Sequence, residues 1–394
     1  MRGDGHKIRI AYYDWDSLMQ EDMLYSLEQA DCEVVRFQGT MEHYGKDECF
    51  SEAFRKFLKE QKPDACFSFN FFPLISDVCQ REEIRYLSWS FDSPLLNLYS
   101  DAAGNSCNRI FHFDRGICER MQREGMKNLY HLPLAVRADR PVGQRSGVLA
   151  SFTGADISFV GRIYDKKNFY DQIQYLPEWL KGYLEGLMEA QKQVWGYNFQ
   201  EECIRRKGLK EICHYVKMEQ PSDFHYTPAF VFANLFLNQK ITAMEREEAL
   251  WRLAQIADVS LYSDSFPESL AKTGRIHYGG VVENTTEAPV VYRGSRINLN
   301  MTLRSIMTGI PLRVFEIAAA GGFVLSNYQE ELCECFEPEK EIVLFGSMEE
   351  MEDKARYFLE HEEERKRIAE ASRKRMEAEH TLQRRIETIF SLAL

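Results

Sequence analysis

The stretch Arg296–Tyr328, RINLNMTLRSIMTGIPLRVFEIAAAGGFVLSNY, decides the fold. Ile297 to Asn300 alternates apolar and polar side chains as a strand does. A loop carrying Gly309 follows, and an amphipathic helix is predicted to begin near Pro311, where proline's fixed φ suits the first helical position. Ala318, Ala319 and Ala320 permit close packing. Gly321 and Gly322 stop the helix, because glycine tolerates the left-handed turn of a C-terminal cap. Phe323–Leu325 reads as a buried strand. Strand, loop, helix and strand make one βαβ unit of a parallel sheet, whose ligands bind beyond the carboxyl ends of the strands.

The loop has its own chemistry. Thr308, Gly309 and Ile310 precede a helix whose first backbone N–H groups lack partners, a natural cradle for an anion. Gly309 lets the backbone approach a phosphate closely. Arg313 in the first turn adds a fork of donors suited to phosphate oxygens. Glu316 lies on the same face, where its carboxylate can accept hydrogen bonds from sugar hydroxyls. A plainer reading stands beside this one: Arg313 and Glu316 form an i,i+3 ion pair.

Working outward, 394 residues are enough for two domains, each with its own core. An apolar content of 44%, with 13% aromatic residues, describes a globular chain. The formal net charge of −12 has no basic stretch to offset it, which argues against nucleic acid as a partner. Anionic substrates must then be neutralised locally by a few Arg and Lys residues. No run of about 18 apolar residues occurs, so no membrane span is expected. The start, MRGDGHKIRIAYYD, carries no signal-peptide pattern. Ten cysteines are scattered without a disulfide rhythm, which suits a cytoplasmic protein. Cys333 and Cys335 have no second ligand pair near them and do not read as a zinc site.

Residues 1–140 alternate strands and helices: Ile8–Tyr13, Glu33–Phe37, Ala65–Phe69, Tyr86–Ser90 and Arg109–Phe113 carry the strand signal. Such alternation gives an α/β domain with a parallel sheet covered on both faces. Asp14, Asp16, Asn70, Asp92, Ser93, Asp114 and Arg115 fall at strand ends and should line one edge. The segment 140–150 (RPVGQRSGVL) is the linker candidate. A second domain is expected over 141–375, with a helical insertion at 168–256 rich in aromatic and aliphatic residues. The sheet resumes at Val259–Tyr262 and Ile276–Tyr278. The charged run HEEERKRIAEASRKRMEAEH reads as a solvated helix laced with i,i+4 pairs. A last helix falls within 376–394.

The stretches YLSWSFDSPLLNLYS, RIFHFDR, YHLPLAV, ISFVGRIYDKKNFYD and YLPEWLKGYLEGLMEAQKQVWGYNF, with the loop above, resemble the spore-maturation (CgeB-like) glycosyltransferases and, more widely, GT-B glycosyltransferases. The resemblance covers most of the chain. It implies two Rossmann-like domains facing across a cleft, the second binding a nucleotide-sugar donor and the first presenting the acceptor. It also implies that the last helix crosses back to the first domain. In the wider group-one transferases a Glu-x7-Glu signature marks the donor site. Glu316 matches its second glutamate, implying contacts to the ribose, whereas Thr308 stands where the first glutamate would be. A Gly-Arg pair with a lysine five residues on contacts the diphosphate in that group, and Gly161, Arg162 and Lys167 fit it. IHYGGVVE, with Tyr278, is similar to the segment that approaches the base.

The resemblance thus implies a metal-independent transfer of sugar from a nucleotide-diphosphate donor, UDP-sugar the first expectation, to an acceptor. No separate cofactor is expected. If the anomeric centre inverts, a carboxylate or imidazole of the first domain must act as base. Asp92 in FDSP is the first candidate, with Asp14 and His131 behind it. Asp before Ser-Pro is equally good turn chemistry. Asp14-Trp15-Asp16 spells the D-x-D that binds divalent metal in another transferase fold, but it ends the first strand, where an acceptor loop belongs. Two other classes remain open: a nucleotide-sugar epimerase on the same fold, and a non-catalytic spore or surface protein.

Overall fold

The computed structural model describes residues 7–43, 45–140, 149, 152–166, 168–218 and 220–393. Twelve strands form two sheets of six. The first sheet holds β1 (Arg9–Asp14), β2 (Glu33–Gln38), β3 (Ala65–Phe69), β4 (Arg85–Ser90), β5 (Asn108–His112) and β6 (Leu129–His131). The second holds β7 (Ala155–Val160), β8 (Val259–Tyr262), β9 (Ile276–Gly280), β10 (Ser295–Asn300), β11 (Val324–Asn327) and β12 (Val343–Phe345). Every pairing is parallel, in the orders β2-β1-β3-β4-β5-β6 and β12-β11-β10-β7-β8-β9.

The first compact unit takes Met1–Ala138, Glu219–Tyr226 and His380–Leu394. Its central strands are buried on both faces, as helices on either side of a parallel sheet require: Ile10, Ala11 and Tyr12 of β1 are at most 1% exposed. The helix Glu48–Gln61 shows why these residues make this layer. Asp47 caps it by accepting from Phe50 N at 2.9 Å, and Phe50, Phe54 and Leu58 fall on one face and are buried. The last helix, Leu382–Ala393, belongs to this unit, where Arg385 Nε donates to Pro133 O at 2.8 Å. Residues 219–226, inside the span read as the helical insertion, also belong here. Asp101 N donates to Asp223 O at 2.9 Å, and His225 N to Tyr99 O at 2.8 Å.

The second unit takes Asp139–Met218 and Thr227–Glu379. Ile157, Phe159, Leu261, Ile297, Leu299, Leu325 and Val343 form the core of its sheet. The helices between β7 and β8 build a separate core from Leu180, Leu184, Met188, Ile204, Ile212, Phe232 and Leu237. Gly321 ends the helix Leu312–Ala319 at φ +76°, where its N–H bonds Ala318 O (3.0 Å) and that of Gly322 bonds Ile317 O (2.9 Å). This is the paired closure of a Schellman cap. A Cβ on Gly322 would stand 2.8 Å from Tyr292 O, so the turn demands glycine at 321 and close packing demands it at 322. Pro311 does not occupy the first helical position: with ψ 147° it is the extended residue before the helix, and its carbonyl accepts from Val314 N at 3.1 Å.

Candidate functional site

In each sheet the chain reverses its direction of strand addition once, and parallel α/β sheets bind ligands outside the strand ends at that point. In the second sheet the reversal lies between β7 and β10. Two loops leave from there: Gly161–Tyr164 after β7, and Met301–Pro311 after β10. The second is anchored underneath by buried amides and hydroxyls. Asn300 Nδ2 donates to Ser326 Oγ at 2.9 Å, and Asn327 Oδ1 accepts from Thr302 N at 2.7 Å. Gly309 and Ile310 are buried as the chain enters the helix, and Gln329 Nε2 donates to Gly309 O at 3.3 Å.

Arg313 and Glu316 lie just beyond. Arg313 Nη1 is 2.9 Å from Glu316 Oε2 and also donates to the Tyr292 hydroxyl, while Nη2 reaches Asn284 Oδ1 at 3.5 Å. The Glu316 side chain is only 6% exposed. Burial works against the Arg313 charge, but the Tyr292 oxygen and the Glu316 carboxylate outweigh it and hold its pKa above the ordinary value. Burial drives the Tyr292 phenol up in turn, so it stays a neutral partner. The ion pair foreseen as the plainer reading is therefore formed. It places a fixed cation one turn into the helix, beside backbone N–H groups that have no intrahelical acceptor. Thr308 Oγ1 donates to Glu331 Oε1 at 2.8 Å, and Thr308 O accepts from Glu331 N at 3.2 Å. Glu331 thus brings a carboxylate next to Thr308, the position where the signature has its first glutamate.

The first loop is placed less completely. Gly161 follows β7 directly, with its N–H on Tyr262 O at 2.9 Å. The Arg162 side chain is largely exposed, 3.7 Å from Asp264. Lys167 lies outside the described residues. Tyr278 on β9 stacks on Phe266 with ring centroids 5.0 Å apart and planes 7° from parallel, and donates to Ser263 O at 2.9 Å. Its ring remains 43% exposed on the edge strand.

Sequence reasoning missed the element that grips both loops, the helix Asn238–Ala254. Glu245, 1% exposed, accepts from Arg304 Nε through both oxygens at 2.9 Å. Arg304 N donates to Thr242 Oγ1 at 3.0 Å, and its guanidinium lies 4.1 Å from the Trp195 ring centroid. Asn198 bridges the same helix and loop through Asn238 Oδ1 (2.8 Å) and Arg304 O (2.9 Å). Arg246, the next residue on the helix, donates to Met301 O in the second loop and to Arg162 O in the first. The adjacent Glu-Arg in AMEREEAL was the available signal, and it reads as an ordinary solvated helix face.

The first sheet reverses between β1 and β3, and two of its three candidate residues sit near that edge. Asp14 ends β1 buried, its Oδ2 accepting from Arg36 Nε (3.0 Å) and Gln38 Nε2 (2.7 Å). Burial alone would raise its pKa, but these hydrogen bonds prevail and hold the carboxyl below its ordinary range. Asp92 follows β4 with an exposed side chain, and its Oδ2 accepts from Asn70 Nδ2 at 2.7 Å. Asn70, at φ 58°, also accepts from Phe91 N at 3.2 Å. Trp15 ties the same edge together, donating to Phe69 O at 3.0 Å and stacking on Phe91. Tyr13, Asp14, Trp15, Asp16, Gln38 and Thr40 line an open cavity of about 510 Å³ there. His131 stands apart, half-buried at the end of β6 opposite His112 of β5.

No helix among the described residues is long and apolar enough to cross a membrane. Compared with known proteins, residues 245–391 match the family model described as Glycosyl transferase-like. A search of curated proteins finds no match. Among solved structures, a glycosyltransferase from Rickettsia africae is similar at TM-score 0.56 and 10% identity, over 98% of both chains. Anabaena HepE, solved in complex with UDP and glucose, is similar at TM-score 0.55 and 10% identity, over 98% of this chain and 99% of that one. Sucrose-phosphate synthase from Thermosynechococcus elongatus gives TM-score 0.55 at 12% identity, over 98% of both. Two parallel six-stranded sheets, matched along nearly their whole length by such structures, are the GT-B arrangement. Residues 245–391 are thus similar to the glycosyl transferase-like family, and the chain as a whole shares the fold of these glycosyltransferase structures.

Proposed function

We propose that this protein moves a sugar from a nucleotide-diphosphate sugar to an acceptor, with no metal and no separate cofactor. The observation that carries the reading is the convergence at the β7/β10 reversal of an anion-cradling helix start, Gly309–Arg313, with the loop bearing Arg162. Departure of the nucleoside diphosphate develops negative charge on its phosphate oxygens. Preorganised backbone N–H groups, Arg313 and Arg162 would stabilise that charge without reorganisation. Glu316 would hold the ribose, Tyr278 would approach the base, and Lys167 would add a further cation. The first unit would supply the acceptor side, with Asp92 as base or as the group that orients the nucleophile. UDP is the first expectation for the nucleotide, since HepE has been solved with UDP and glucose. The resemblance to spore-maturation transferases makes a protein, glycan or small molecule of that context the acceptor class. Ten free thiols suit a reducing, cytoplasmic setting.

Incubation with a panel of nucleotide sugars, followed by analysis of the products, tests this. Slow hydrolysis to free sugar and nucleoside diphosphate supports a transferase. Interconversion of two nucleotide sugars would instead mean an epimerase. Neither reaction, together with no binding, would leave a non-catalytic role.

A further inference from the structure

The one cationic side chain that spans both loops at the β7/β10 reversal, among the described residues, is Arg246. It rises from the helix Asn238–Ala254, and its Nη1 and Nη2 donate to the carbonyls of Arg162 and Met301. Its guanidinium carbon lies 5.5 Å from the Phe159 ring centroid and 5.3 Å from that of Tyr164. Tyr164 is held at φ 66°, a left-handed conformation that a non-glycine residue keeps only where the surroundings demand it. The Arg246 Nε is buried without a hydrogen-bond partner.

The charge of this group is not balanced. No carboxylate lies within ion-pair distance of Arg246 among the described residues. The neighbouring carboxylate, Glu245, has both oxygens on Arg304. Arg313, a like charge that Arg246 feels, is already paired with Glu316. Burial pushes the Arg246 pKa down from its ordinary value, and the nearby Tyr164 and Glu245 offset it only in part. Two carbonyl dipoles and two aromatic faces compensate a desolvated guanidinium only in part. An unneutralised arginine in the crevice of a parallel sheet is what a bound anion would complete. Its fork geometry suits phosphate oxygens, with Nη protons beyond the two already used on carbonyls.

We infer that Arg246 binds the diphosphate of the nucleotide-sugar donor, as a cation supplied by the helix Asn238–Ala254 beside Arg313 and Arg162. The inference rests on the donor reading proposed above and adds to it a residue that no Gly-Arg or glutamate spacing points to. The same contacts give Arg246 a second effect: while bound to phosphate it also holds the two loops at a fixed separation.

Calorimetric titration of wild type, Arg246→Gln and Arg246→Lys separates phosphate binding from loop anchoring. The ligands are UDP, ADP and GDP, each with its matching nucleoside. For the diphosphate that wild type binds best, Arg246→Gln is expected to lose about ten- to a hundredfold in affinity. The nucleoside should change less than about twofold, because it carries no phosphate. Arg246→Lys, which keeps the charge and loses the fork, should fall between. If Arg246→Gln does not fold, the lysine variant carries the test alone. Equal losses for diphosphate and nucleoside, unchanged diphosphate affinity, or failure of both variants to fold would each reduce Arg246 to a loop anchor and overturn the inference. A wild type that binds none of the diphosphates would overturn the donor reading itself.

Discussion

Arg313 Nη1 lies 2.9 Å from Glu316 Oε2, joining two residues whose proposed roles are with different parts of one ligand. Because they hold each other, neither can be removed without disturbing its partner.

Arg313→Ala and Glu316→Ala should each weaken nucleoside-diphosphate binding, Arg313 through phosphate and Glu316 through ribose. A lost charge-assisted hydrogen bond costs about 1.5–3 kcal/mol. The double variant should lose less than the sum, since the two side chains share a contact. Titration calorimetry measures all three. Unchanged affinity in the folded single variants would remove both residues from the site.

The buried pair of Glu245 and Arg304 should be worth more to stability than any exposed ion pair of this chain. Glu245→Ala leaves a buried guanidinium uncompensated, at a cost of about 3–5 kcal/mol. Glu245→Gln, which keeps an acceptor for Arg304, should cost less. Denaturant unfolding followed by circular dichroism gives both values. A loss under about 1 kcal/mol for the alanine variant would mean that the pair does not hold the loop.

Asp14 should set part of the acid limb of stability. Its carboxyl titrates below the ordinary 3.8 in the folded protein. The unfolded chain therefore takes up the proton first as pH falls. The stabilisation is complete above about pH 5 and is lost progressively as pH drops through the unfolded and then the lower folded-state value. Asp14→Asn should be less stable near neutrality, and its stability should fall less steeply with acid. Parallel curves for the two proteins would show that Arg36 and Gln38 contribute nothing through Asp14.

The proposed metal independence rests on where the positive charge sits. Asp14 is committed to Arg36 and Gln38, and the donor side has its own arginines. Transfer activity should survive an excess of EDTA. Loss of activity that Mg²⁺ or Mn²⁺ restores would return Asp14 and Asp16 to consideration as ligands.

Asp92→Asn should leave nucleotide affinity nearly intact while cutting transfer sharply, since its proposed role is with the acceptor. The contact from Asn70 Nδ2 orients the carboxylate. Asn70→Ala should therefore lower the transfer rate as well, and also lower stability, because alanine at φ 58° is strained. Nucleotide binding that collapses together with activity in Asp92→Asn would make Asp92 a donor or fold residue.

Local interactions were legible in the sequence. The Gly321–Gly322 stop is a matter of backbone conformation within six residues, and the structure closes it with two hydrogen bonds between neighbours. The strands read from alternation and apolar runs recur at nearly the same bounds, because two-sided burial leaves a strong compositional mark. β6, three residues long, carried no period to detect. The i,i+3 pairing of Arg313 with Glu316 was likewise visible as one of two readings.

Tertiary structure alone decided the partners of residues far apart in the chain. Arg304 meets Glu245 across 59 positions, and Arg246 reaches Arg162 across 84 and Met301 across 55. In each case the meeting depends on the rotation of the helix Asn238–Ala254 about its axis, set by how its apolar face packs. Nothing in the order of Glu245 and Arg246 announces which will be buried. Residues 219–226 show the same limit at the scale of the units. They lie between helical segments in the sequence, yet backbone hydrogen bonds with Tyr99 and Asp101, the Asp101–His225 side-chain contact and the packing of Tyr226 on Tyr99 attach them to the first sheet's unit. Periodicity records how each segment meets water, whereas the site depends on which segments meet one another, and that is fixed by packing.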